Sequence, residues 1–255
     1  LGMHVSQTAG LALATDLATE DTRPRVVALL YLMLLIGMIG SALIFAALLK
    51  DFGYVRLIQV IQSAAVVTLL LNVVAMFKQE VRRPDLTAHT LARPTFGSAW
   101  RDFITLLHAR RLLWALGLGS MGFTMQDILL EPYGAQVLGL SVSGTTMLTA
   151  IFAGGMVLGL LITARSLAKG TDPILIASIG VLFGVAAFSL VCLSALVNSS
   201  SQFQIGVVLI GFGHGLFAVG MLTAAMMFGG KKMVGLTLGA WGAVQATASG
   251  VAVFS

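Results

Sequence analysis

Two carboxylates, Asp127 and Glu131, lie four residues apart near the end of a long apolar stretch. Residues spaced i and i+4 share one face of a helix, about 6 Å apart along its axis. Ionised groups at membrane depth cost free energy unless they have partners or a function. Three roles fit this pair. The acids could couple proton movement to transport, form a gate ion pair with Lys50 or Arg56, or cap a helix broken at Pro132 and meet interfacial water.

The other polar side chains in apolar stretches suggest a cavity. His214 lies among glycines, and a neutral imidazole there can ligate the magnesium of a chlorin or form a hydrogen bond between helices. Gln126, Asn72 and Gln245 are candidates to line a central cavity, with interhelical hydrogen bonding as the alternative for each.

The chain offers no set of side chains for catalysis or metal binding. Neither a metal-binding cluster nor a nucleophile with its base and orienting group can be assembled from the sequence. We therefore expect neither enzyme activity nor a bound metal. The single cysteine, Cys192, excludes an internal disulfide.

The composition indicates that lipid surrounds most of the chain. Of the 255 residues, 58% are hydrophobic and only 10% are charged, whereas about a quarter of the residues in a soluble domain are charged. Unbroken apolar runs of about 20 residues favour helices over the alternating pattern of a barrel. The sequence therefore predicts an all-α polytopic membrane protein. Because the chain starts and stops within apolar helices, we expect it to be a fragment of a longer protein.

The apolar runs predict three regions. Residues 1–77 form the end of an N-terminal half-bundle, 78–111 a polar linker, and 112–255 a C-terminal half-bundle. After a partial helix at 1–15, the predicted spans are 26–49, 57–77, 112–131, 145–164, 173–197, 205–228 and 233–254.

Basic residues predict the orientation of these spans. Lys50 and Arg56 fall on one side, and the other 13 of the 15 lysines and arginines fall on the opposite side. That asymmetry places the 78–111 linker in the cytoplasm. Membrane topology therefore explains the net charge of +5, and no nucleic-acid partner is expected.

The linker contains one amphipathic segment. Trp100, Phe103, Ile104 and Leu107 fall on a single helical face. This spacing predicts a short helix that either lies on the cytoplasmic membrane surface or packs on the bundle as a connector.

Pairs of glycines spaced by four residues predict close helix crossings, which favour packing over substrate binding. The pairs are Gly155 and Gly159, Gly180 and Gly184, and Gly235 and Gly239.

The two groups of helices joined by a long cytoplasmic linker resemble the major facilitator superfamily. Residues 16–25, reading DLATEDTRPR, are similar to that superfamily's loop between helices four and five. Asp16 and Arg23 match the loop motif, while Pro24 replaces its glycine. The loop at 163–173 matches the signature between helices eight and nine poorly.

A closer resemblance is to the PucC family, also called the LhaA-type bacteriochlorophyll delivery family. The most specific segment is 125–146, reading MQDILLEPYGAQVLGLSVSGTT. The resemblance extends to four further segments, which are residues 7–18, 23–31, 211–225 and 238–248. Ala135 stands where the family usually has a second glycine, and His214 where we expect a small or amide residue.

The resemblance implies helices four to eleven of a twelve-helix major facilitator-like bundle in a bacterial inner or intracytoplasmic membrane. It implies a factor that handles or delivers bacteriochlorophyll to antenna apoproteins, with the pigment as cargo and no tightly bound cofactor. Two alternatives stay open: a proton-coupled small-molecule transporter, and an assembly scaffold that does not touch pigment.

Overall fold

The computed structural model describes residues 23–77 and 96–254, together with residues 6, 9–11, 13, 14, 17 and 18. The regular secondary structure of these residues is α-helical. They are α1 (Arg23–Leu48), α2 (Tyr54–Ala75), α3 (Phe96–Thr105), α4 (Leu107–Gln136), α5 (Val142–Ala168), α6 (Pro173–Val197) and α7 (Ser200–Phe254).

Within the described residues, five helices are long and apolar enough to cross a membrane. They are Ala28–Leu48, Tyr54–Ala75, Val142–Ala168, Pro173–Val197 and Ser200–Phe228. The 30 residues of α4 are also long enough, but Gln126 and Asp127 make that helix less apolar. The predicted class, an all-α polytopic membrane protein, is confirmed.

Local signals determine where α6 begins and ends. Pro173 lies in the first turn, where its missing N–H costs nothing. The Asp172 carboxylate caps that turn by accepting a hydrogen bond from the Ile174 backbone N–H at 2.8 Å. At the other end, Asn198 takes a left-handed conformation with φ of 48°. The predicted limits of 173–197 match the helix because these signals act locally.

Pro132 does not end α4, so the predicted helix end at residue 131 is wrong. The helix continues to Gln136, and the Val137 N–H still bonds to the Tyr133 carbonyl at 2.9 Å. Proline removes one backbone donor, and membrane helices tolerate this loss when their neighbours support the rest of the ladder.

The long helix α7 has two arms that lie along α4 in opposite directions. On the first arm, Ser200–Phe228, the Phe228 ring stacks on His108 near the start of α4. On the second arm, 235–254, Ser249 is hydrogen-bonded to Thr124 farther along α4, with 3.1 Å between their hydroxyl oxygens. A straight helix of 55 residues would extend about 80 Å. The chain therefore reverses between the arms, in agreement with the two spans predicted there.

Glycines bring the first arm of α7 into backbone contact with two neighbours. A Cβ on Gly211 would collide with the Phe152 carbonyl of α5. A Cβ on Gly213 would lie 2.7 Å from the Gly180 carbonyl oxygen of α6, which is closer than real Cβ contacts. Alternate glycines therefore face opposite neighbours, which explains the glycine-rich segment 211–215.

Two of the three predicted glycine pairs lie at close contacts. Gly155 and Gly159 pack against backbone atoms of α7, while Gly180 faces α7 and Gly184 faces the Phe123 ring of α4. The prediction is wrong for the third pair. A Cβ on Gly235 or Gly239 would meet no atom within 4 Å, so their spacing reflects no crossing.

The two helices of the N-terminal region differ in their packing. Helix α1 lies against α5, where the Ser143 hydroxyl donates a hydrogen bond to the Ala46 carbonyl at 2.8 Å. Helix α2 buries none of its residues in the described structure. Its large apolar side chains therefore face the surroundings.

The linker helix α3 packs on the bundle. Phe103 is 1% exposed and lies in a small core with Ala109 of α4 and Ala240 of α7. Trp100 and Ile104 flank this core. Of the two interpretations of the amphipathic segment, packing as a connector is the one that the structure shows.

Candidate functional site

The paired acids line a partly open cavity of about 190 Å³ between three helices. Asp127 and Glu131 come from α4, Met38 comes from α1, and Thr149 and Phe152 come from α5. Sites for drug-sized ligands are about 300–1,000 Å³. This cavity is therefore of a size for water or a small polar group, and too small for a tetrapyrrole macrocycle.

Each acid has a neutral polar partner. The Gln126 side-chain amide donates a hydrogen bond to Asp127 Oδ1. The Thr149 hydroxyl donates a hydrogen bond to Glu131 Oε1 across the α4–α5 interface, with 3.2 Å between the oxygens. The two carboxylates thus lie on one face of α4, as predicted, and each is stabilised by a donor that carries no charge.

Among the described residues, the structure forms no ion pair between these acids and Lys50 or Arg56, and the gate ion pair stays a prediction. Arg56 instead pairs with Asp51, with 3.5 Å from its guanidinium nitrogen to Oδ2, and also donates to the Asp51 carbonyl. Lys50 is exposed in the same α1–α2 turn. A short loop places arginine and aspartate close together, so local pairing prevails over a contact across the bundle. Coupling through Asp127 and Glu131 stays a prediction.

The three amides predicted to line a cavity have separate locations. Gln126 is 5% exposed and lines the cavity of the acids. Asn72 is exposed on α2, donates to the Thr68 carbonyl of its own helix at 2.8 Å and is not part of the lining around Asp127. Gln245 is half-buried on the second arm of α7 and is not part of the lining around Asp127.

His214 lies between two phenylalanine rings. Its imidazole stacks on Phe123 of α4 with centroids 4.9 Å apart and planes within 8°. Phe152 of α5 lies 5.8 Å away, tilted by 45°. Nδ1 of His214 is inaccessible to solvent and has no hydrogen-bond partner in the part of the chain that the structure describes, although the residue as a whole is half-buried.

Phe152 joins the two parts of the site, because it lines the cavity of the acids and also contacts His214. The sequence interpretation missed both phenylalanines. Helical spacing offers a signal for Phe123, which precedes Asp127 by four residues and so shares its face. Phe152 has no such signal, since its position follows from how α5 crosses α7.

Two predicted residues lie outside this description. Asp16 is not among the described residues, and Arg23 begins α1 but its side chain is not described. Among the described residues, no three His, Cys, Asp or Glu side chains approach closely enough to hold a metal ion.

A family model described as "PUCC protein" matches residues 1–255. The chain belongs to the PucC family. The PucC resemblance predicted from the sequence is therefore confirmed.

Several named proteins are similar to this chain over nearly its whole length. "Protein PucC" of Rhodovulum sulfidophilum is 49% identical over 99% of this chain and 56% of its own length. "Protein PucC" of Cereibacter sphaeroides is 44% identical over 99% of this chain and 55% of its own length. The "Bacteriochlorophyll synthase 44.5 kDa chain" of Rhodobacter capsulatus is 26% identical over 98% of this chain and 59% of its own length. The chain thus spans a little over half the length of these relatives.

Proposed function

We propose that the protein is a non-enzymatic membrane factor for light-harvesting antenna assembly, which handles bacteriochlorophyll and delivers it to antenna apoproteins. The observation that carries this proposal is the match to the PucC family along the whole chain. The name of the more distant relative, a bacteriochlorophyll synthase chain, also associates this sequence type with the pigment. We place the protein in the bacterial inner or intracytoplasmic membrane, with the 78–111 linker on the cytoplasmic side.

The distribution of polar groups supports a lipid-soluble cargo. Within the described bundle, the acids occupy one small cavity toward the outer end of α4, while the surroundings of His214 are aromatic and aliphatic. The apolar side chains of α2 are exposed, and several exceed half of their full exposure. A pigment with an apolar tail can reach such surfaces from the bilayer without crossing a charged barrier.

Deletion in a phototrophic host tests the proposal. We expect loss of antenna absorbance in the deletion strain and its recovery when the full-length gene is supplied. Total bacteriochlorophyll synthesis, measured in solvent extracts, serves as the control, because a delivery defect leaves synthesis competent. Normal antenna absorbance in the deletion strain would contradict the proposal.

One observation favours a second candidate, a proton-coupled transporter of small molecules with a major facilitator-like fold. Asp127 and Glu131 line a cavity together with amide and hydroxyl donors, as a proton-coupling site would require. Proteoliposomes that carry the full-length protein or its Asp127→Asn, Glu131→Gln double variant separate the two candidates. Substrate-driven proton flux that the double variant abolishes supports transport. Normal antenna assembly by that variant supports a structural role for the acids.

A pigment-free assembly scaffold is distinguished by pigment content. The proposed function predicts that the purified full-length protein retains bacteriochlorophyll absorbance after size-exclusion chromatography. Colourless protein that still binds antenna apoproteins would favour the scaffold instead.

A further inference from the structure

A cavity separate from that of the paired acids lies where α5, α6 and the first arm of α7 meet. Its volume is about 690 Å³, which is within the range of about 300–1,000 Å³ for small-molecule sites. The wall is mostly apolar and includes Leu167, Ile174, Met227 and Phe228. Two spans end at Ala168 and Phe228, and a third begins at Pro173. The cavity therefore lies at the level of the membrane surface, with one side open to the surroundings.

We propose that this cavity binds the headgroup of a phospholipid that carries a primary ammonium group, as phosphatidylethanolamine does. In this arrangement the Asp172 carboxylate accepts hydrogen bonds from the ammonium group, and the acyl chains stay in the adjoining bilayer. The inference goes beyond the proposed function and does not depend on it.

The polar atoms of the cavity are suited to a ligand that donates hydrogen bonds. An ionised carboxylate only accepts them, and Oδ1 of Asp172 accepts one from the Ile174 backbone N–H at 2.8 Å. The Thr223 hydroxyl, which also lines the cavity, donates to the Val219 carbonyl of its own helix at 2.8 Å, so its oxygen is left to accept. An ammonium group has three donors and no acceptor. The cavity thus matches an ammonium group better than a phosphate.

The charges beside the cavity match a zwitterionic headgroup. Among the described residues Asp172 has no ion-pair partner, whereas Asp51 pairs with Arg56. Lys169 lies three residues before Asp172 in the turn between α5 and α6, and it is exposed. The turn therefore carries a negative and a positive charge that do not pair with each other in the described structure. We assign the ammonium group to Asp172 and the phosphate to Lys169.

The wall of the cavity favours a lipid over a soluble amine. Ile174, Met227 and Phe228 line the cavity and are exposed, so an acyl chain can cover them. The trimethylated ammonium group of phosphatidylcholine has no N–H to donate, and proteins bind such groups with cages of aromatic rings. The described lining has one aromatic ring, that of Phe228, which also stacks on His108. The primary ammonium group is therefore the better ligand.

Competition between two lipids tests this site. Full-length protein in detergent, stripped of lipid, is mixed with equal amounts of phosphatidylethanolamine and phosphatidylcholine that have the same acyl chains. Native mass spectrometry then measures the ratio of the two lipids on protein molecules that carry one lipid. The test variant is Asp172→Asn, because asparagine caps a helix as well as aspartate does and removes only the charge. The control is Asp102→Asn, an exposed acid on α3 outside the lining of this cavity.

The wild type and Asp102→Asn should prefer phosphatidylethanolamine by about 10-fold, the effect of one hydrogen bond to a charged group. Asp172→Asn should lose most of this preference. An equal preference in the wild type and Asp172→Asn would overturn the assignment of the ammonium group to Asp172. A wild type that binds both lipids equally would overturn the proposal as a whole.

A lysine variant tests the other half of the headgroup. Lys169→Gln should weaken the binding of both lipids to the same extent, because both carry a phosphate, and should leave the ratio of the two unchanged. A changed ratio, or unchanged binding of both lipids, would contradict the assignment of the phosphate to Lys169.

A pair of threonine variants tests the second acceptor. Thr223→Val should lower the preference for phosphatidylethanolamine, whereas the matched control Thr247→Val should not. The Thr247 hydroxyl also donates to a carbonyl of its own helix, that of Ala243 at 2.8 Å, but it lies on the second arm of α7 outside this cavity. Equal effects of the two variants would exclude Thr223 as a contact of the ammonium group.

A headgroup without acyl chains separates a lipid site from a site for soluble amines. Glycerophosphoethanolamine should displace phosphatidylethanolamine from the wild type at least about 10-fold less effectively than the intact lipid does, because it cannot cover the exposed apolar wall. Equally effective displacement would overturn the assignment to a lipid.

Discussion

Thr149 on α5 donates a hydrogen bond to Glu131 on α4, with 3.2 Å between Oγ1 and Oε1. This bond connects two helices beside the cavity of the paired acids. The described hydrogen-bond partner of Glu131 is thus a neutral hydroxyl, whereas Arg56, one of the two bases considered for a gate, pairs with Asp51. Replacement of the Thr149 hydroxyl by a methyl group would therefore remove this hydrogen bond between α4 and α5.

The first prediction concerns this bond. In a double-mutant cycle of Thr149→Val and Glu131→Ala, we expect a coupling energy of about 0.5–1 kcal/mol, because Glu131 is exposed and the attraction is partly screened. Thermal unfolding in detergent measures it. Thr146→Val is the matched control, since that hydroxyl bonds to the Val142 carbonyl of its own helix. A cycle with Thr146 that gave the same coupling would refute the assignment.

The second prediction uses two adjacent glycines on α5. A Cβ on Gly155 would collide with the Val208 carbonyl of α7, whereas a Cβ on Gly154 meets nothing within 4 Å. Gly155→Ala should therefore lower the free energy of unfolding by about 1–3 kcal/mol, as overpacked cores do. Gly154→Ala should be neutral or stabilise the helix by up to about 1 kcal/mol. Equal thermal midpoints for the two variants would show that α5 and α7 do not pack closely at Gly155.

The third prediction concerns how α3 is attached. Phe103 is 1% exposed in a small core, and its replacement by alanine costs about 3–5 kcal/mol when such a side chain is fully buried. A helix of ten residues is marginal without tertiary contacts, and Phe103 is its most buried side chain, so Phe103→Ala should loosen α3 and increase its cleavage by a soluble protease. Leu106→Ala, at a side chain that is 49% exposed, is the control. Equal cleavage rates in the two variants would exclude attachment through Phe103.

The fourth prediction tests the orientation. In a Cys192→Ser background, single cysteines replace Ser201, at the start of α7, or Ala168, at the end of α5; both positions are exposed. The distribution of basic residues predicts that Ser201 faces outward and Ala168 faces the cytoplasm. A membrane-impermeant maleimide should therefore label Ser201→Cys in intact spheroplasts, and Ala168→Cys only after lysis. The reverse labelling pattern would show that the protein has the opposite orientation in the membrane.

The sequence predicts the spans well because lipid imposes a simple rule. Apolar stretches of about 20 residues must be helical, and capping signals such as Asp172 and Pro173 act within one turn. Helix ends that depend on a neighbour are harder to predict. The sequence predicts a helix end at Pro132, but α4 continues for four more residues to Gln136.

The candidate site was only partly predictable for a related reason. That Asp127 and Glu131 share a face follows from helical periodicity alone. The neighbours of these acids cannot be predicted in the same way, because Thr149 and Phe152 belong to α5. The position of α5 along the other helices is set by glycine contacts such as that of Gly155 with the Val208 carbonyl of α7. Arg56 shows the opposite case, since its ion-pair partner is Asp51, only five residues earlier, and this local pair was not among the three roles considered for the acids.

The lack of buried residues in α2 has a mechanical consequence. In the described structure this helix follows α1 through the short turn that contains Gly53, and none of its residues is fully buried. Its backbone hydrogen bonds keep it helical in lipid without neighbours, but its angle to the membrane normal is not fixed by contacts. Tyr54 and Arg56, exposed in its first turn, can anchor that end in the interface. The tilt of α2 should therefore follow the thickness of the surrounding bilayer, while the angles of α5, α6 and α7 stay constant.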